Sequence, residues 1–413
     1  MRAAIANERG RLYSSPGLVD ADRVGLLEAA IAAVGPEDSC ERAELLARLG
    51  DELQFAGDAQ RRMALSDEAL EIVRRIDAPE SLIGVVAERA IAVFSPATLQ
   101  ARIEEAEEAV LASRRIADPL ARYHALRCRF LTAFHAGDIE RAREDLAEAR
   151  GLARRTAHPV AHWFTAIMSC TMAALLGRLE EAEGAAAEAF EIGSRSGQPD
   201  AEFVRESQLA PIRFDQGRMA EILPAFEVLA RELPGVPALR GVLTLAQSET
   251  GMVQEAAEQL HEAAQVDFAP MDIAWGAAIG SYAFALARVS DRKAAAALYR
   301  LLFRHENQVA YCTVNAWSTI AHHLGALARG GGMLGLADRH LQRAGELAER
   351  MGAPIWLART QVEQARVATL RGAEEAEIAP LLESARHTAD RLGAYAVYRD
   401  AAALLEDPQL VSS

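Results

Sequence analysis

The stretch AGDIERAREDLAEARGLARRTAHP (Ala136–Pro159) and the stretch LGRLEEAEGAAAEAFEIGSRSGQP (Leu176–Pro199) share one layout. Each has a glycine at its second position, continues with a run rich in Ala, Leu, Glu and Arg, and ends at a proline 22 residues after the glycine. These four residue types are strong helix formers, whereas glycine and proline end helices. The layout predicts a long helix between two turns, and its recurrence predicts a repeat architecture.

The turn recurs at a nearly constant interval along the chain. Turn positions 57, 97, 137, 177, 217, 251, 291, 332 and 372 follow one another in steps of 40, 40, 40, 40, 34, 40, 41 and 40 residues. A second series of prolines runs in phase, at 36, 79, 119, 159, 199, 237, 270 and 354. After the turn, two alanines seven residues apart share one helix face, as Ala142 and Ala149 do, and let the preceding helix approach closely.

Tetratricopeptide repeats carry their two alanines at the same relative positions. We therefore predict an all-α fold, a right-handed superhelical solenoid of about nine to ten tetratricopeptide-like helix pairs, each burying its apolar face only against its neighbours. The pairs are expected at 41–78, 80–118, 120–158, 160–197, 200–235, 238–268, 271–306, 314–352 and 355–393, after a half-unit near 20–34. Bends are expected at the short step before Gly251 and in the stretch Asn307–Thr313.

The whole chain, 1–413, is expected to form a single solenoid. Within it we assign an N-terminal cap to 1–40, N-terminal repeats to 41–237, C-terminal repeats to 238–395 and a capping tail to 396–413. Met1 and the polar tail lead us to interpret the chain as a free-standing array.

Composition limits the partners of the chain. The formal net charge is −15, which argues against a nucleic-acid partner because binding phosphates needs a basic surface. The uncharged stretch Ile273–Ala287 is too short to span a bilayer, and the N-terminus has no signal-peptide core. We therefore predict a cytoplasmic protein with no nucleic-acid or membrane partner.

Residues with metal or redox chemistry do not form a motif. Cys40, Cys128, Cys170 and Cys312 contain no CxxC pair, which indicates a reducing compartment without disulfides. His158 and His162 have a metal-capable spacing, but Pro159 places His158 at a helix boundary. Nucleotide-loop, dinucleotide, serine-hydrolase and zinc-hydrolase motifs are absent from the sequence. We predict no metal, no cofactor and no catalytic residue.

The four tryptophans, Trp163, Trp275, Trp317 and Trp356, lie 14 to 16 residues before their turns, near the predicted start of a first helix. An aromatic ligand cage is one interpretation. Packing as wedges between units is the other, and we favour it because one position recurs in several units.

In such a solenoid the first helices line a concave groove, and its side chains are the candidates for binding. The candidates in the N-terminal and middle parts are His124, Arg127, Phe134, His135, Phe164, Ser207, Phe214 and Asp215. Those in the C-terminal part are Ser281, Arg288, His322, Arg329, Arg359 and Arg366. The C-terminal set has four arginines and no acid, and arginine forks bind carboxylates or phosphates. The alternative is that these arginines pair with glutamates on neighbouring helices.

Three stretches carry a family resemblance. They are LLGRLEEAEGAAAEAFEIGSRSGQPD (Leu175–Asp200), PGVPALRGVLTLAQSETG (Pro234–Gly251) and LQRAGELAERMGAPIWLARTQVEQARVATLRG (Leu341–Gly372). The chain resembles the C-terminal helical region of large actinobacterial regulators that join an ATPase module, and in some cases an adenylate-cyclase or LuxR-type domain, to a tetratricopeptide-like array. The resemblance implies a sensory or partner-binding arm and carries no residue-level binding motif.

Three functions are weighed from these residues. The first is a regulatory scaffold that recognises a peptide or an acidic protein segment in the groove. The second is a metabolite sensor with an enclosed pocket lined by Phe134, Phe164, Phe214, His124 and His322. The third is a metal-free enzyme built in that pocket, although we lean towards a protein that is not an enzyme. The sequence leaves open whether the chain forms a homodimer.

Overall fold

A computed structural model describes residues 19–268, 272–289 and 291–407 of the chain. The prediction of an all-α fold is confirmed, because 79% of the structure is helical and the described residues form 20 helices and almost no strand. The helices are α1 Ala21–Val34, α2 Cys40–Glu52, α3 Ala59–Arg75, α4 Pro79–Ala92, α5 Leu99–Ser113, α6 Pro119–Ala136, α7 Ile139–Thr156, α8 Pro159–Leu175, α9 Leu179–Arg195, α10 Ala201–Asp215, α11 Leu223–Glu232, α12 Pro237–Glu249, α13 Val253–Gln265, α14 Trp275–Arg288, α15 Arg292–Leu302, α16 Ile320–Gly330, α17 Leu334–Met351, α18 Pro354–Leu370, α19 Glu375–Leu392 and α20 Tyr395–Glu406. Two short strands, β1 Val309–Tyr311 and β2 Ala316–Thr319, lie between α15 and α16.

Glycine, aspartate and proline set the helix ends. Helix α6 stops at Gly137, whose φ of 77° lies in the left-handed region that glycine adopts without a Cβ penalty. The carboxylate of Asp138 then accepts a hydrogen bond from the backbone N–H of Arg141 and caps α7. Proline is the first residue of α4, α6, α8, α12 and α18, where its missing N–H costs no helical bond. Pro270, where the sequence also predicts a helix boundary, lies outside the described residues.

Small side chains and tryptophans bring neighbouring helices together. Ala142 and Ala149 on α7 are buried, and α7 packs against α6. Trp163, on α8, is also buried, and its indole nitrogen lies 2.9 Å from where a Cβ would stand at Gly193 on α9. Trp356, near the start of α18, is buried as well. This burial favours packing wedges over a ligand cage.

The segment after α15 differs from the prediction. In place of a bend followed by a helix from 314, the chain forms an antiparallel hairpin of β1 and β2, and α16 begins at Ile320. Trp317 therefore lies in a strand and not near a helix start. The segment is rich in β-branched and aromatic residues, which favour extended backbone. Its turn is fastened because the backbone N–H of Cys312 donates to the Asn315 carbonyl over 3.1 Å.

The hairpin is buried among helices that lie far from it in sequence. The Asn315 side-chain amide donates to the Ser207 carbonyl over 2.6 Å, and the Thr171 hydroxyl donates to the Val314 carbonyl over 2.9 Å. On the other side, the backbone of Tyr311 packs directly on Gly276 of α14. The hairpin therefore fills space on the inner side of α8, α10 and α14 that the sequence prediction leaves open.

The C-terminal helices also contact the turns of earlier ones. The sulfur of Met351 lies 3.2 Å from where a Cβ would stand at Gly137, and Pro354 lies 3.1 Å from the equivalent point at Gly177. One apolar cluster joins Leu179 on α9 to Val362 on α18. The expectation that each unit buries its apolar face only against its neighbours is therefore wrong, because later helices pack against helices that come much earlier in the chain.

The segment 396–413, which the sequence assigns to a capping tail, begins inside α20, Tyr395–Glu406. The rest of that tail, from 408, lies outside the described residues. Across the described ranges, the helices lack the combined length and apolar character that a bilayer crossing requires.

Candidate functional site

A pocket of about 1060 Å³ lies between the C-terminal helices and α10, partly open to solvent. Its wall is built from α10, α13, α14, α15, α16, α18 and α20, which the chain supplies from widely separated positions. Six of the fourteen predicted groove residues line it, namely Phe214, Arg288, His322, Arg329, Arg359 and Arg366. Helical periodicity places the predicted residues of each helix on one face, and contacts between the later helices and α10 bring these faces together.

Arg359 is held rigidly in the pocket wall. Its guanidinium lies 4.2 Å from the ring centroid of Phe214 and 4.9 Å from that of Phe284, so it sits against two aromatic faces. Its Nη2 atom lies 2.5 Å from a carboxylate oxygen of Asp215. Cation–π contacts and a charge-assisted ion pair together fix the position of this positive charge.

Glu363 lies between two of the predicted arginines and is 4% exposed. Its carboxylate accepts from the Arg329 Nε atom over 2.7 Å and also pairs closely with Arg366. Burial alone would raise the pKa of Glu363, but the two guanidinium groups outweigh it and hold that pKa well below its usual range. Glu363 is therefore ionised, and it neutralises one of the two arginine charges.

Asp400 on α20 is the second carboxylate of the wall. Arg288, Arg366 and Arg399 surround it at 3.3, 3.4 and 3.1 Å. Burial opposes ionisation of Asp400, yet these arginines lower its pKa. The prediction that this part of the groove has no acid is thus wrong. Glu363 lies four residues from Arg359 on the same face of α18, and Asp400 belongs to the segment assigned to the tail.

The alternative interpretation of the four arginines is that they pair with carboxylates, and the structure contains such pairs. Arg288, Arg329, Arg359 and Arg366 each pair with at least one carboxylate. The pocket nevertheless keeps an excess of positive charge, since six cationic side chains line it against three carboxylates. Two of the six, Arg292 and Lys293, are exposed and form no ion pair within the described residues.

His322 lines the pocket in its neutral form. It is 1% exposed, and its Nδ1 atom lies 3.1 Å from the Thr360 hydroxyl oxygen. Burial lowers the pKa of His322 to about 4, with the neighbouring arginines adding to the shift and Glu363 opposing it. The adjacent His323 instead contacts the Trp317 carbonyl of the hairpin, through its Nε2 atom.

This depressed pKa predicts a pH-dependent stability. The unfolded chain binds the His322 proton more readily, so the stabilisation is present above about pH 6.5 and is lost as pH falls towards 4. Between pH 7 and pH 5, we expect the wild-type protein to lose about 2 kcal/mol more unfolding free energy than His322→Gln does. Urea titrations at both pH values measure this, with the exposed His387→Gln as control. Equal losses in wild type and His322→Gln would contradict the expectation.

Of the other eight predicted groove residues, Asp215 contacts the pocket wall through its ion pair with Arg359, and the remaining seven do not line the pocket. Phe134 and His135 pack against the hairpin, with the Phe134 ring 4.7 Å from that of Tyr311. The Ser281 hydroxyl donates to the Ala277 carbonyl within its own helix and is fully buried. The hairpin thus covers part of the inner surface on which these candidates were placed.

Four further candidates lie elsewhere. The Arg127 guanidinium stacks 4.4 Å from the Phe164 ring centroid, and His124 borders a separate cavity of about 290 Å³. Ser207 contributes its carbonyl to the hairpin turn. The structure brings none of these four into the pocket wall.

Cysteine and metal chemistry are not built into the pocket. Cys128, Cys170 and Cys312 are buried and Cys40 is partly buried, and all four are free. Within the part of the chain that the structure describes, no group of three or more His, Cys, Asp or Glu side chains is arranged to hold a metal ion.

Comparisons with known proteins add no family. No family model matches this chain, and a search of curated proteins finds no match.

Proposed function

We propose that this chain is a binding protein, a superhelical array of tetratricopeptide-like helix pairs whose pocket takes a small anionic molecule carrying carboxylate or phosphate groups. The carrying observation is the excess of cationic side chains over carboxylates in the pocket wall, in a chain whose formal net charge is −15. Arginine side chains suit both groups because their planar forks bind two oxygens at once.

The size and shape of the pocket support a small ligand. Its volume of about 1060 Å³ is comparable to that of small-molecule and cofactor sites, which reach about 1000 Å³. Apolar surface is supplied by Phe214 and Phe284, and fixed polar groups converge around it. A long peptide lying along the inner surface has less support, since the hairpin fills much of that space.

A second candidate is recognition of an acidic segment of a partner protein, which would make the chain a regulatory adaptor. The observation that favours it is the open side of the pocket, where the exposed Arg288, Arg292 and Lys293 meet solvent. A chain end or a short acidic loop could enter there. A cytoplasmic location belongs to the same proposal, since a reducing compartment keeps the four cysteines free.

The test uses Arg292 and Lys293, the two rim cations that have no ion pair among the described residues. Calorimetric titration of the full chain with citrate, pyrophosphate and a hexaglutamate peptide at low ionic strength should show binding by at least one probe. The double variant Arg292→Gln/Lys293→Gln should bind that probe about tenfold more weakly, because it loses two positive charges without breaking an ion pair.

The matched control is Arg386→Gln, an exposed arginine on α19 with no ion pair in the described residues. Its affinity should equal that of the wild type. Binding of hexaglutamate alone would favour the second candidate. If the wild type binds none of the three probes, an anion site in this pocket is refuted. An equal loss of affinity in the Arg386→Gln control would refute it as well.

A further inference from the structure

Asp400 is held differently from Glu363, another carboxylate of the pocket. Its three arginine contacts measure 3.3, 3.4 and 3.1 Å, whereas Arg329 lies 2.7 Å from Glu363. Charge-assisted hydrogen bonds between a guanidinium and a carboxylate are shortest at about 2.7–2.9 Å. Asp400 thus shares three donors without a close contact to any of them.

Each of these arginines has another carboxylate partner. Arg288 pairs closely with Glu249 on α12, and Arg399 lies 3.0 Å from the same carboxylate. Arg366 pairs closely with Glu363. If the Asp400 carboxylate moved away, each of the three arginines would keep a contact with Glu249 or Glu363, but these two carboxylates would leave the cluster with a net positive charge and with free N–H groups at the vacated position.

The helix that supplies Asp400 is anchored without it. Val397, Ala401 and Leu404 of α20 are buried in an apolar cluster shared with α18 and α19. Withdrawal of the Asp400 side chain therefore needs a rotamer change and no displacement of α20.

We propose that Asp400 is an internal competitor for the ligand, and that a carboxylate or phosphate group of the ligand replaces it among Arg288, Arg366 and Arg399. This inference rests on the proposed anion-binding function of the pocket. Asp400 occupies the donors that the ligand needs and repels an incoming anion, so it lowers the affinity of the pocket. The ligand must supply an oxyanion with at least two acceptor oxygens, because three guanidinium groups converge on one position.

The experiment compares wild type with Asp400→Asn in the full chain. Asparagine keeps the size of the side chain and one acceptor oxygen but removes the charge. Calorimetric titration with citrate and with pyrophosphate should show about tenfold tighter binding to the variant. If the affinity rises for citrate alone, the position binds a carboxylate. If it rises for pyrophosphate alone, the position binds a phosphate. Either result supports the proposal.

Two further variants make the result specific. Asp390→Asn removes an exposed carboxylate on α19 that has no ion pair in the described residues, and its affinity should stay at the wild-type value. Asp400→Glu keeps the charge and should bind no more tightly than wild type. If Asp400→Asn does not fold, Asp400→Ser replaces it in the same comparison.

The failures of the two proposals are distinguishable. Wild type that binds a probe, with Asp400→Asn binding it equally or more weakly, overturns the competitor role and leaves the anion site intact. Tightening by Asp390→Asn to the same extent also overturns that role, because the effect would then come from net charge. Absence of binding by both wild type and Asp400→Asn overturns both proposals.

Discussion

Gly276→Ala is expected to lower the free energy of unfolding by at least about 3 kcal/mol, which is the upper range for overpacking a rigid core. A Cβ at this position of α14 would overlap the backbone N, C and O atoms of Tyr311 in β1. Backbone atoms cannot move aside as the end of a flexible side chain can. Either the hairpin or α14 must shift, and the hairpin bonds to Ser207 and Thr171 would weaken with it.

Urea denaturation followed by circular dichroism measures this effect. The matched control is Gly84→Ala in the interior of α4, where nothing lies within 4 Å of the added Cβ. Alanine in a helix interior is favoured over glycine by about 0.5–1 kcal/mol, so this control should be neutral or stabilised. A Gly276→Ala protein as stable as the control would show that the hairpin does not pack on α14 in this way.

Glu363→Gln is expected to cost about 3 kcal/mol at neutral pH, because it leaves the charges of Arg329 and Arg366 without their shared buried partner. Glu383→Gln, on the exposed face of α19, serves as the control and should change stability by less than about 0.5 kcal/mol.

The pH dependence of this difference tests its origin. The folded-state pKa of Glu363 is depressed, so its contribution is present above the unfolded value of about 4.3 and is lost as pH falls below it. The gap between wild type and Glu363→Gln should therefore narrow in acid. A gap that stays constant down to pH 3 would mean that lost packing, and not lost charge, causes the destabilisation.

The helices were predictable from sequence because their signals are local. A glycine such as Gly137 and a proline such as Pro159 mark helix ends through their own backbone geometry, wherever the rest of the chain lies. The same periodicity brought Arg359 and Arg366 onto one face of α18, and both line the pocket. Glu363 lies on that face too, and its spacing from the two arginines could have predicted an acidic side chain in the pocket wall.

The hairpin and the contacts between later and earlier helices were not predictable in this way. Strands of three and four residues leave too short a pattern to separate from a helix start, and their pairing partners lie far away in the chain. The only local signal was the pair Gly276 and Gly280, one helical turn apart on α14. Glycines at this spacing indicate that another chain segment, here the hairpin, approaches the helix closely. Asp400 was missed because α20 was assigned to a tail.

The pocket wall runs from Phe214 on α10 to Asp400 on α20, so its parts leave the ribosome at very different times. Early helices can stack on one another while synthesis continues, since their contacts are local in sequence. Arg359 cannot meet Asp215 until α18 has emerged, 144 residues later. A nascent chain therefore forms its early helices well before its pocket wall is complete, and the wall is completed only once α20 has emerged.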